Sequence, residues 1–331
     1  VYILPKERED TSYFEECDKK IKELNGPGSA RLCGEAESDN LLGDIKLADD
    51  FAILDIKRTM RGAGAFLNTE DKYSLKELEI MLCVAPDYKY LLERWLKTLE
   101  REGFICEKDG KYSAVVTDID ERYAKIKEKV GQMTLENPGY KGMEKYLVSS
   151  GEKLADSISG KINPVEFLFP KGETQTAHAI YHDLFAAKML NMLCLKTIEA
   201  VAEKGDKIKV LEVGSGVGGT SDDAIPFLAN YKNAEYYFTD ISQYFLQEAR
   251  KKYEKYDFVK YAIYDLNEPC ENQGIKRGEF DFIISANTFH NAVDGYAAMK
   301  TMKQALKPNG YIIYLDCIFE SNSLLTSKGM L

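Results

Sequence analysis

The stretch Ile208-Lys-Val-Leu-Glu-Val-Gly-Ser-Gly-Val-Gly-Gly-Thr220 constrains this chain more than any other. Three apolar β-formers, Ile208, Val210 and Leu211, run into Glu212-Val-Gly-Ser-Gly-Val-Gly218. That pattern predicts a short buried strand breaking into a glycine-rich turn, with a helix opening near Thr220. Glycine lets the backbone bend tightly and lets a ligand lie against main-chain amides with no Cβ in the way. Glycine-rich turns also occur where nothing binds, so the meaning of this one depends on the residues downstream of it.

Downstream, strands and helices alternate. Glu235-Tyr-Tyr-Phe-Thr239 reads as a strand ending at Asp240, with a helix over 243–253. Phe258-Val-Lys-Tyr-Ala-Ile263 is a strand ending before Asp265, and Phe280-Asp-Phe-Ile-Ile-Ser285 is a strand followed by Asn287 and His290. A helix over 297–306, a turn at Pro308-Asn-Gly310 and a strand Tyr311-Ile-Ile-Tyr-Leu315 ending at Asp316 complete the series. This spacing predicts an α/β fold with a doubly wound, mostly parallel sheet. Ligands of such sheets lie beyond the carboxyl ends of the strands. The glycine loop, Asp240, Asp265, Asn287, His290 and Asp316 all fall there.

The first half of the chain has a different grammar. Residues 1–48 read as irregular, with a charged helical candidate over 12–24 stopped by Asn25-Gly-Pro-Gly28. A helix over 51–60, a capping-box pair Ser74/Glu77, a helix over 88–102 and a hairpin about Asp109-Gly110 give the order of a winged helix. A DNA-reading winged helix needs cations to neutralise phosphates. Residues 70–111 carry eight Lys/Arg against ten Asp/Glu, which argues against that role and leaves Trp95 as a core residue. Charged helices over 115–160, broken at Asn137-Pro-Gly139, lead to a loop with an aromatic–aliphatic plug at 160–170. A helix over 176–203 then delivers the chain to the glycine loop. His178 and His182, four apart, share a face of it, but no His-Glu-x-x-His pattern or further histidine ligand accompanies them and no metal is expected.

Composition sets outer limits. At 331 residues there is room for two domains, placed at 1–160 (a helical lid, winged-helix-like over 51–113) and 161–331. A net charge of −10 argues against a nucleic-acid or anionic-membrane partner, and no apolar run is long enough to cross a bilayer. Seven scattered cysteines without a CxxC pair fit reduced thiols and a cytoplasmic location. A chain beginning at Val1 suggests a domain excised from something longer.

Two features bear on the ligand. Asp240 lies 22 positions beyond Gly218, where an acidic side chain accepts hydrogen bonds from ribose hydroxyls. A dinucleotide loop reads Gly-x-Gly-x-x-Gly and holds a pyrophosphate, whereas this one reads Glu-x-Gly-x-Gly-x-Gly. Glu212 would repel a pyrophosphate and tolerate a cationic amino-acid cofactor, which points to S-adenosyl-L-methionine over NAD.

Taken together, Glu212-Val-Gly-Ser-Gly-Val-Gly-Gly-Thr220, Phe238-Thr-Asp-Ile-Ser242, Asp265-Leu-Asn-Glu268, 280–292 with its Asn287-x-x-His290-x-Ala292 run, and Leu306-Lys-Pro-Asn-Gly310 resemble a class I S-adenosylmethionine-dependent methyltransferase. The match is narrower still to the methyltransferase domains embedded in polyketide synthases and nonribosomal peptide synthetases. It covers 51–331, with 51–113 resembling their N-terminal lid.

The resemblance implies that Gly214, Gly216 and Gly218 line the methionine and ribose of the cofactor, with Glu212, Asn287 and Tyr181 alongside. Asp240 and Ile241 would hold the ribose end, and Asp265 and Leu266 would flank the adenine. It implies His290 as catalytic base, a role suited to a side chain that titrates near neutrality. Carbon-methylating members orient that histidine with a glutamate at the end of the next strand. Here Asp316 stands in its place, one methylene shorter, with Glu320 as a second candidate.

That shortening favours oxygen methylation of a β-hydroxyl or enol, with methylation of the α-carbon of a β-ketoacyl thioester as the alternative. The implied partners are an acyl carrier protein bearing a phosphopantetheine-tethered acyl group and the neighbouring synthase modules. A stand-alone small-molecule methyltransferase and a non-catalytic gating module are the remaining alternatives. Family members continue for two strands beyond the one at 311–315, so the sheet is expected to lack its C-terminal strands.

Overall fold

A computed structural model describes residues 2–5, 19, 23, 35–136, 140–202, 207–316 and 321–327. Apart from positions 19 and 23, the helical candidate at 12–24 lies outside the described residues, as do Asn25-Gly-Pro-Gly28, Asn137-Pro-Gly139 and Glu320. The chain opens on β1 (Tyr2–Pro5). The helix expected over 51–60 is the end of a longer one, α1 (Glu35–Gly62). Next come β2 (Lys72–Tyr73), α2 (Leu75–Met81), α3 (Lys89–Arg101), β3 (Ile105–Lys108) and β4 (Lys111–Ala114). After α4 (Asp120–Glu136) and α5 (Lys141–Glu152) come α6 (Phe185–Val201), β5 (Lys209–Val213), α7 (Ser221–Leu228), β6 (Glu235–Asp240) and α8 (Gln243–Lys252). The core closes with β7 (Val259–Ile263), β8 (Phe280–Ala286), α9 (Gly295–Ala305) and β9 (Leu306–Leu315).

Internal contacts divide the chain into residues 1–38 with 181–318, and 39–180 with 319–331. The second unit is the winged-helix-like one. Ser74 and Glu77 form the expected capping box, Ser74 N–H donating to Glu77 Oε2 at 2.7 Å and Glu77 N–H to Ser74 Oγ at 3.3 Å. Asp109 (φ 54°) and Gly110 (φ 75°) both turn left-handed, as the tight hairpin between β3 and β4 requires, and β2 adds a third strand in the order β2-β4-β3. Trp95 is fully buried, and its Nε1–H donates to the carbonyl of Leu325 at 3.0 Å.

The first unit is a six-stranded sheet in the order β1-β9-β8-β5-β6-β7. All neighbours run parallel except β1, which pairs antiparallel with β9, Tyr2 opposite Tyr314. The edge beyond β9, where the sequence predicts the sheet to stop, is therefore covered by the N-terminal strand. Alternate residues of β5 serve opposite faces, as strand geometry demands. Val210 packs with Phe282, Ile284 and Ile313, while Leu211 and Val213 pack with Ile283 and Ile312. From β5 the chain winds outward through β6 and β7, then returns to β8 on the other side of β5. This reversal opens a crevice between the loops at the ends of β5 and β8.

Two expected elements differ. The helix predicted over 176–203 is divided into Gln175–His178, a π-helical turn Ala179–Asp183, and α6, with Leu184 extended between them (φ −62°, ψ 141°). The turn expected at Pro308-Asn-Gly310 is absorbed into β9, where a register shift against β8 accommodates Asn309 at φ 68°.

Candidate active site

Gly214, Gly216 and Gly218 all take positive φ, at 68°, 52° and 83°, where a side chain is strained. Their surroundings differ. A Cβ on Gly214 would lie 2.3 Å from the Thr288 methyl, and one on Gly218 would lie 2.4 Å from the Tyr253 hydroxyl. A Cβ on Gly216 would meet nothing nearer than the Gly214 carbonyl at 4.0 Å. Two of the glycines are thus required by protein packing, and Gly216 faces open space.

Several side chains that fix this loop carry no motif of their own. Asn191 on α6 is buried, its Nδ2 donating to the Gly219 carbonyl at 3.0 Å and its Oδ1 accepting from Thr220 Oγ1 at 3.1 Å. The π-turn brings Tyr181 to the loop, its carbonyl 2.8 Å from where a Cβ on Gly219 would stand. Both contacts join residues far apart in sequence, which periodicity does not record.

Glu212 lies in the interior beneath the glycine loop. Its side chain is only 2% exposed, and its Oε2 accepts from Tyr236 Oη at 2.6 Å and from Ser221 Oγ. Burial pushes its carboxyl up, opposed by those hydroxyl donors. Glu212 is a buried peg that ties β5 to β6 and α7, because its side chain projects from a strand covered on both faces. A pyrophosphate is disfavoured instead by α7, whose first turn carries Asp222 and Asp223 where an anion would otherwise dock.

Asp240, 7% exposed, closes the loop from β6. Its Oδ2 accepts from Gly216 N–H at 2.8 Å and its Oδ1 from Ser242 N–H at 2.8 Å. Burial raises its pKa against the pull of those donors. Ile241 beside it is 70% exposed, an apolar side chain presented at a strand end. Asp265 Oδ1 accepts from the backbone and side-chain amides of Asn267 at 2.9 and 3.0 Å, whereas Leu266 buries its side chain in the core with Leu211 and Ile283.

The loop after β8 meets the glycine loop across the crevice, Thr288 Oγ1 donating to the Gly214 carbonyl at 3.1 Å. Asn287, at φ 51°, donates its N–H to the Leu315 carbonyl at 2.7 Å and so turns the chain between two strand ends. The next residues form a short 3-10 turn, Phe289–Asn291, that presents His290 with 54% of its side chain exposed. Its Nδ1 lies 2.9 Å from Oδ2 and 3.1 Å from Oδ1 of Asp316, whose side chain is 6% exposed. A carboxylate only accepts, so Nδ1 carries the proton and Nε2 is the nitrogen left to take one. The shortened carboxylate reaches its histidine.

Residues 211–312 match the family model described as "Methyltransferase domain". The chain carries a class I methyltransferase domain. Among curated proteins, this methyltransferase domain is 23% identical over 310 residues to pyochelin synthetase PchF of Pseudomonas aeruginosa, covering 88% of the chain and 16% of that protein. It is 30% identical over 245 residues to the non-reducing polyketide synthase ausA of Emericella nidulans, covering 71% of the chain and 9% of that protein. The chain therefore spans less than a fifth of either relative.

Among solved structures, the fold superposes on the DszA carbon methyltransferase with a TM-score of 0.85 at 22% identity, covering 99% of this chain and 83% of that one. The citrinin polyketide synthase CMeT domain gives 0.81 at 16% identity, with 99% and 85% covered. The trans-methyltransferase CalH, solved as a complex with SAH, gives 0.61 at 18% identity, with 87% and 75% covered.

The cofactor of such a domain is S-adenosylmethionine, and the residues present fit it. Gly216 leaves open space beside the Asp240 carboxylate, and Ile241 offers an exposed apolar face next to that carboxylate. The acidic first turn of α7 suits a ligand without a pyrophosphate. Among the described residues, no helix is long and apolar enough to cross a membrane.

Proposed function

We propose that this domain methylates an acyl intermediate tethered to a carrier protein's phosphopantetheine arm within a polyketide or nonribosomal peptide assembly line, at the α-carbon of a β-ketoacyl thioester. S-adenosylmethionine, when bound, supplies a sulfonium methyl group open to in-line displacement. Asp240 holds the ribose hydroxyls, Gly216 lets the cofactor approach the loop backbone, and Ile241 and Asp265 flank the adenine. His290 takes the acceptor's proton at Nε2, and Asp316 holds the ring in the tautomer that leaves Nε2 free and stabilises the imidazolium that forms.

The observation that carries this proposal is the paired approach of Asp316 Oδ1 and Oδ2 to His290 Nδ1 at 3.1 and 2.9 Å. One methylene fewer at Asp316 favours oxygen methylation on the sequence, whereas the short Asp316–His290 distances support the carbon reading. A supported imidazole suits removal of a carbon-bound proton, and two solved domains of this fold are described as carbon methyltransferases.

The test incubates the protein and S-adenosylmethionine with a carrier protein loaded with β-ketoacyl or β-hydroxyacyl groups, read by mass spectrometry. Methyl gain at the α-carbon of the β-keto form is expected, lost by about 100-fold or more in His290→Ala, with cofactor affinity kept within a few-fold. Methylation of the β-hydroxyl instead would overturn the carbon assignment. Equal turnover of a free thioester would overturn the carrier-bound acceptor.

A further inference from the structure

Tyr314 is the next-to-last residue of β9, and Asp316 lies just beyond the strand end. Residues two apart along a strand share a side of the sheet, and here the two side chains meet. Tyr314 Oη donates to Asp316 Oδ2 at 3.1 Å, the same oxygen that His290 Nδ1 approaches at 2.9 Å. The tyrosine ring also packs edge-on against Phe289, with centroids 5.2 Å apart and planes at 76°. Phe289 precedes His290 in the 3-10 turn. One side chain therefore touches the carboxylate through its hydroxyl and the histidine's own turn through its ring.

We propose that Tyr314 is a positioning residue of the His290–Asp316 pair, holding the carboxylate and the histidine turn against each other; this rests on the reading of His290 as the acceptor's base. The physical need is specific. A carboxylate at 6% exposure requires donors in place of water. The phenol donates to Oδ2, which helps to fix the carboxylate plane against the imidazole and draws off part of the negative charge. Among the described residues, Asp316 is the only titratable group in hydrogen-bond contact with His290.

Tyr314→Phe removes the hydroxyl and keeps the ring, while Tyr314→Leu removes both. The chain has three histidines, His178, His182 and His290, so the His290 ring nitrogens can be followed by heteronuclear NMR, which distinguishes the protonated from the bare nitrogen of the neutral ring, and assigned with His290→Gln. In Tyr314→Phe we expect the single-tautomer pattern of His290 to give way to a mixture of the two tautomers. There kcat should fall about tenfold, while cofactor KM and Tm should stay near the parent values. Tyr314→Leu should lose about tenfold more in kcat. An unchanged His290 tautomer in Tyr314→Phe, at whatever turnover, overturns the proposal, since lost packing alone lowers kcat without changing the tautomer. A changed tautomer in a protein whose His290→Gln variant retains turnover would support the Tyr314 contact and reject His290 as the base.

Discussion

At Glu212 the chain buries a carboxylate beneath the glycine loop, with Ser221 and Tyr236 hydroxyls in place of water. Its position in the motif suggests a partner for a cationic ligand, but its carboxylate is buried between β6 and α7. Asp240, also buried, instead accepts from the N–H of Gly216, the glycine of the loop whose Cβ position faces open space. Glu212→Gln would leave a buried amide donor unmatched at about 1–3 kcal/mol. For a protein of this kind that lowers Tm by several degrees, at ~2–4 °C per kcal/mol. Cofactor Kd by calorimetry should stay within a few-fold of the parent. Asp240→Ala should show the reverse emphasis, weakening cofactor binding at least tenfold, on the order of the ~1.4 kcal/mol that a lost hydrogen bond to a charged group represents. A Kd that tracks Glu212 instead would make that carboxylate the cofactor's partner.

The glycine loop behaves as an element rather than a row of equivalent residues. Gly218→Ala must adopt φ 83° and displace the Tyr253 hydroxyl, which donates to Asp222 Oδ1 at 2.7 Å. Gly216→Ala must adopt φ 52° but meets open space. A left-handed conformation costs a non-glycine residue about 1–2 kcal/mol, so Gly218→Ala, which adds a clash, should lower Tm the more. Gly216→Ala should lose more cofactor affinity than stability. Thermal unfolding and calorimetry on the two variants would check the contrast, and equal losses of stability would sink it. Along this half of the chain the elements are largely legible in the sequence, because buried parallel strands write themselves as short apolar runs between turn residues. The interrupted helix at 175–201 is not, since its break serves the Tyr181–Gly219 contact, which no local pattern encodes. Nor is the bulge in β9, where Asn309 and Gly310 look like an ordinary turn until β8 is alongside.

At the scale of the whole molecule, the winged-helix-like unit stores an electrostatic cost. Asp55 on α1 is 2% exposed, and burial raises its pKa from 3.8 to about 7, with Arg58 and Lys127 pulling it down and Glu152 pushing it up. Gly151 makes room for it: a Cβ there would stand 2.0 Å from the carboxylate. Lys57, fully buried over the Phe66 ring, is lowered from 10.5 to about 8. The folded state holds the Asp55 proton that the unfolded chain releases near pH 4, so stability is full below that pH and falls as pH rises toward 7. Lys57 acts in the opposite sense, with stability gained between pH 8 and 10.5 and lost as pH falls through 8. Unfolding followed at pH 5 and pH 8 should therefore show a lower Tm at pH 8. Asp55→Asn should narrow the gap, because its amide does not ionise. An unchanged gap would show that Asp55 does not set it.

Sequence alone determined the parallel sheet, the strand-end placement of Asp240, Asp265, Asn287, His290 and Asp316, and the winged-helix-like order ahead of them. Each of these comes from hydrophobic period, turn chemistry or a motif confined to a few neighbouring residues. Only the tertiary structure decided that Glu212 is buried against Ser221 and Tyr236, that Asp316 reaches His290, that Tyr314 joins them, and that the N-terminal strand covers the edge of β9. Those outcomes depend on distances between residues dozens to hundreds of positions apart. Such distances are set by how β8 and β9 lie side by side, and a linear pattern carries no measure of that spacing.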